Sequence, residues 1–145
     1  MVERSPHTVD SEAVRTHVGI VQSVIERMAS NSASCKSWCV TLVSAILVVV
    51  ADKSKPQYAL IAVIPTILFL FLDSYYLALE RMFRQSYNSF IEKVHSGNIE
   101  ITDLYAVSPS GDVIRTLCSS LFSFSVWPFY LSLLGMIWIA RTVIL

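Results

Sequence analysis

Four basic residues, Lys36, Arg81, Arg84 and Arg115, flank the apolar parts of this chain and carry most of what could be chemistry in it. Each lies close to the end of a charge-free run, so a helical fold would hold all four at one depth. Arginine forks and a lysine gathered there suit an anion, above all a phosphate chain. Arg27 stands one further step out, and Tyr87 and Tyr76 could stack on bases, as aromatic rings do in single-strand binders. The plainer account of the same cations is anchoring at a membrane face by contact with anionic lipid heads.

Other arrangements are thinner. Thr41 and Ser44 share one helical face and could line a water path; packing of small hydroxyl residues between helices is the plainer account. Ser119, Ser120, Ser123 and Ser125 pose the same alternative. Asp73 closes an apolar run, where it would mark a boundary or ring a pore mouth. No nucleophile and base, glycine-rich phosphate loop or carboxylate dyad stands at a recognisable spacing, so the chain is expected not to be an enzyme. Cys35, Cys39 and Cys118 find no histidine set to complete a metal site, and no cofactor is expected.

The elements that must position these residues follow from composition. Of 145 residues, 54% are hydrophobic and 15% charged, against roughly 25% charged in a soluble domain. Charge is missing altogether from Ser37 to Ala51, Pro56 to Leu72 and Thr116 to Ala140. Runs of about 17–25 apolar residues span a bilayer. The expected fold is therefore an all-α membrane protein with three transmembrane helices and cytoplasmic amphipathic extensions. The charged segment ahead of the first run speaks against a signal peptide, so the N-terminus is expected to stay on the chain.

Residues 1–8 read as a flexible N-terminus. A cytoplasmic amphipathic helix is expected over 9–36, capped near Asp10 or Ser11, with Val14, Val18, Val21, Ile25 and Met28 in heptad steps. The Ser- and Asn-rich stretch from Ala29 to Lys36 predicts a break. A transmembrane hairpin follows over 37–72, kinked at Pro65. Its second helix extends into the cytoplasm over 73–96, stopped by Gly97. A cytoplasmic loop with a hint of extended chain occupies 97–112. Residues 113–145 form a helix entering the third crossing, kinked at Pro128. Arg27, Lys36, Arg81, Arg84 and Arg115 fall on one side, and Lys53, Lys55 and Arg141 on the other. The positive-inside rule then makes the N-terminus cytoplasmic.

The segments VQSVIERMASNSASCKSW (21–38) and FLDSYYLALERMFRQSYNSF (71–90) resemble small bacterial membrane proteins that serve as effectors in nucleotidyltransferase-linked anti-phage defence. The membrane effectors of Hailong systems are most similar. The resemblance covers roughly residues 20 to 90. It implies a homotetrameric ion channel in the bacterial inner membrane. A partner nucleotidyltransferase would make single-stranded DNA oligomers that hold the channel shut, and infection would release it. Carried onto this chain, the oligodeoxynucleotide would meet Lys36, Arg81 and Arg84, with Arg27 and Arg115 as further contacts. A non-conducting anchor that recruits a soluble partner through the 9–28 and 75–96 helices is the other function open to this sequence.

Overall fold

A computed structural model of the chain describes residues 12–53 and 55–143. The expected frayed N-terminus, the caps at Asp10 or Ser11 and the last two residues lie outside them. The described residues are helical, with no strand among them. Helix α1 runs Glu12–Lys53, and a 3-10 segment over Pro56–Ala62 leads into α2, Val63–Ser96. A single turn, α3, covers Ile101–Tyr105. Helices α4 (Val113–Leu121) and α5 (Trp127–Val143) complete the chain.

α1 crosses the expected break without interruption. Its heptad seam does not end at Met28: Ser32, Cys35 and Cys39 continue the steps, and all three are buried against the rest of the fold. Serines at seam positions are small enough to let a second helix approach. Tertiary packing thus overrides their weak helix preference. At 42 residues, α1 is about 63 Å long. That is twice the hydrocarbon thickness, so a spanning α1 has to stand well clear of the bilayer.

The second apolar run also differs from expectation. Pro56 opens a 3-10 segment, and the α register begins only at Val63. Pro65 therefore sits in the first turn of α2, where its missing N–H costs no helical bond. Gly97 ends α2 in the left-handed region at φ 69. The Asn98 N–H donates to the Lys93 carbonyl at 3.0 Å and the Gly97 N–H to that of Val94 at 3.2 Å, a Schellman closure.

Within residues 97–112, Ile101–Tyr105 is a helical turn rather than the hinted extended chain, although Glu100, Ala106 and Asp112 beside the helices do have extended backbone. Glu100 and Asp103 form a capping box around α3. Nor do residues 113–143 form one helix. Asp112 caps α4 by accepting from the Ile114 and Arg115 amides at 2.9 and 3.3 Å. The helix then stops at Leu121, because the Ser123 carbonyl takes the amides of Val126 and Trp127 and starts α5 afresh. Pro128 again lies in a first turn, where it removes no bond of α5.

Two helical segments, Glu12–Lys53 and Pro56–Ser96, are long and apolar enough to cross a membrane. Only 22% of the most apolar window in each is buried inside the chain, so neither is sheltered as the core helix of a soluble protein would be. α5 has 17 residues with Arg141 its sole charge. One apolar cluster joins the far halves of the helices through Cys39, Val43, Ala62, Tyr130, Leu133 and Ile137. A second lies at the other end, where Val14, Phe90 and Val94 meet Ile99 and Leu104.

Candidate functional site

Between the two apolar clusters lies a polar waist. Asp73 leaves α2 at the end of its apolar run with its side chain fully buried. Lys36, facing it from α1, brings Nζ to 2.6 Å from Asp73 Oδ2. Ser32, one turn before Lys36, donates its hydroxyl to Asp73 Oδ1 and accepts from Lys36 Nζ at 3.3 Å. A buried carboxylate needs such a partner and such donors, since a lone charge removed from water is very costly. Beside it, the Tyr130 hydroxyl of α5 donates to the Phe69 carbonyl at 3.0 Å and ties that helix to the pair.

Arg81, two turns further along α2, turns to α4. Its Nη1 donates to Ser119 and Ser120 at 3.4 and 3.3 Å, and Nη2 donates to Ser123 at 2.9 Å. Arg84 instead pairs with Glu80 one turn back at 2.8 Å. It lines an open groove of about 510 Å³ between α1 and α2, together with Tyr87, Asn88, Gln22, Ile25 and Glu26. Gln22 Nε2 donates to the Tyr87 hydroxyl across the groove at 3.4 Å.

The cations expected to share one anion site thus have separate engagements within a protomer. Lys36 belongs to Asp73, Arg81 to Ser119, Ser120 and Ser123, and Arg84 to Glu80, while Arg27 and Arg115 stand exposed on α1 and α4. Arg84 and Tyr87 come together in the groove. Thr41 and Ser44 are exposed on α1, on the side away from Cys39 and Val43, with Ser37 in the same row. Thr41 back-bonds to the Ser37 carbonyl at 2.9 Å. Asp73 faces inward to Lys36 in the protomer.

Sequence reasoning passed over Ser32 and His17. Ser32 carried a signal in the heptad count, which reaches it from Met28 in four residues. His17 is buried at the far end of α1, where its Nδ1 donates to the Leu104 carbonyl at 3.0 Å and its ring lies 4.4 Å from that of Phe90. Among the described residues no group of three or more His, Cys, Asp or Glu could hold a metal ion.

The geometry defines a helical protein with two segments able to cross a bilayer and a buried ionic clasp between them. The chain matches no protein-family model, no curated protein and no solved structure.

Proposed function

We propose that this chain crosses the bacterial inner membrane three times, by the second half of α1, the first half of α2 with its 3-10 lead, and α5. The N-terminus and the 74–115 segment are cytoplasmic. Copies assemble, a tetramer being favoured, into an ion channel that acts in anti-phage defence and takes an anionic nucleotide or single-stranded DNA oligomer as its signal. The effector resemblance supplies the defence setting and the nucleotidyltransferase partner.

The observation that carries the channel reading is the row Ser37, Thr41 and Ser44, left uncovered on α1 within its charge-free run. Its opposite face, through Cys39 and Val43, already packs in the protomer. A hydroxyl row with no cover in the protomer suits a water path or a second copy better than lipid. For the signal, Arg84, Tyr87, Asn88 and Gln22 supply one guanidinium, one ring and two amides in the α1–α2 groove. Glu80 and Glu26 temper that charge, so several copies around an axis are needed for a strongly positive vestibule.

Purified protein in planar bilayers tests this. A steady conductance, altered by Thr41→Val with Ser44→Ala and modulated by a DNA oligomer through Arg84, is expected. Silence of the pure protein together with a stable complex with another chain would overturn it in favour of an anchor. That second reading draws on Ile101 and Tyr105, exposed apolar residues of α3 at the far end of the helices from the apolar cluster of α5.

A further inference from the structure

Arg81 has no carboxylate within ion-pair distance among the described residues, unlike Lys36, Arg84 and Lys93. Its guanidinium is spent on three neutral hydroxyls, those of Ser119, Ser120 and Ser123. A serine that accepts from an arginine keeps its own O–H to donate. The cluster therefore offers hydroxyl O–H donors beside a guanidinium whose positive charge no paired carboxylate among the described residues offsets. This is the donor set of a tetrahedral phosphate rather than of a planar carboxylate alone. Ser120 is fully buried and fixes the geometry, while Ser119 stays accessible at the surface. Arg115 precedes Ser119 by one helical turn and adds a second cation on that face of α4.

What borders the cluster identifies the source of the phosphate. Ser123 lies in the break between α4 and α5, and the same break carries Phe122 and Phe124, which are 74% and 90% exposed. Phe122 stacks on Trp127, the first residue of α5, with centroids 6.2 Å apart. These rings continue the apolar surface of α5 outward to the phosphate donors. Aromatic rings beside phosphate donors at the end of an apolar helix match the headgroup layer of a bilayer, with acyl chains below and phosphates above. The α1–α2 groove is a separate place, lined by Arg84 and not by Arg81.

We infer that Arg81, Ser119 and Ser123 hold the phosphate of an anionic phospholipid, with Phe122 and Phe124 set among its acyl chains. The inference rests on the membrane reading above but not on conductance.

Native mass spectrometry of the full chain released from nanodiscs of mixed phosphatidylglycerol and phosphatidylcholine tests it, with circular dichroism as the check on folding. The wild type should retain phosphatidylglycerol preferentially. Arg81→Gln should lower that preference roughly fivefold. Should Arg81→Gln fail to fold, Ser119→Ala with Ser123→Ala keeps the arginine and should still weaken retention. An unaltered preference in either folded variant would overturn the site. Displacement of the lipid by millimolar inorganic phosphate would overturn the lipid as occupant. Protein that resists alkaline extraction from vesicles yet shows no headgroup preference overturns this inference alone. Protein washed out of the vesicles overturns the membrane reading with it.

Discussion

Asp73 has no exposure to solvent, and Lys36 reaches it at 2.6 Å while keeping 22% of its own side chain exposed. The pair is asymmetric. If Asp73 is removed, the lysine can still extend its ammonium toward water or headgroups. Without Lys36, the carboxylate stays buried with no cation to offset it and the Ser32 hydroxyl as a neutral donor. Lys36→Met is therefore expected to destabilise by about 3–5 kcal/mol, and Asp73→Asn by distinctly less. The apolar double variant Lys36→Met with Asp73→Leu should recover most of the loss. Unfolding in mixed detergent micelles gives the order of the three, and equal losses for the two single variants would refute the asymmetry.

Continuity of α1 through Ala29 to Lys36 has a direct geometric consequence. Spin labels at Ser23 and Ala45, both exposed, flank the stretch. An unbroken helix holds their backbones about 33 Å apart with a narrow distribution. A break at the serines would shorten and broaden it. Pulsed dipolar spectroscopy in nanodiscs separates the two. Ser30→Ala, at an exposed position, should add about 0.5 kcal/mol by helix preference alone.

Helical class and the apolar runs were legible in the sequence because both depend on local composition. The stop at Gly97 was legible too, since a left-handed residue after an amphipathic run has few alternatives to glycine. What escaped were features decided by partners distant in the chain. Ser32 reads as a helix breaker until the buried carboxylate of Asp73 receives its hydroxyl. The pair of Arg84 with Glu80 is local and follows from their spacing, but Arg81 turns instead to Ser119, Ser120 and Ser123, far along the chain. The α4–α5 break lies inside a charge-free run, where hydropathy gives no sign of it. Its cause is a carbonyl, that of Ser123, turned back to collect two amides.

Gly97 offers the cleanest test of a backbone term. A Cβ built there meets nothing within 4 Å, so no clash adds to the left-handed conformation. Gly97→Ala should cost about 1 kcal/mol, and Gly97→Asn less, since asparagine tolerates that region. Thermal unfolding of the two variants checks the ranking. A larger loss for Asn than for Ala would mean that the Schellman closure is not what holds the end of α2.

Lys93 and Asp103 bind α3 to α2 through an ion pair of 2.7 Å. The hydrogen bond from Lys93 holds the Asp103 carboxyl below its ordinary range, against a smaller opposing effect of burial. The same bond raises the Lys93 ammonium above its own. For a carboxylate depressed in the folded state, the contribution to stability is present above the unfolded pKa and disappears as pH falls through the folded value. For the raised lysine, the contribution is present below its unfolded pKa and is lost as pH rises through the folded one. The clasp of α3 should therefore hold across neutral pH and loosen at both extremes, the acid limb lying below the ordinary Asp range. Half-exposure of the lysine lets salt weaken it. Hydrogen exchange at the amides of α3, followed against pH with wild type and Asp103→Asn, is the measurement. The variant should exchange faster at neutral pH and lose the acid limb, and an acid limb that persisted in it would assign the effect to another carboxylate.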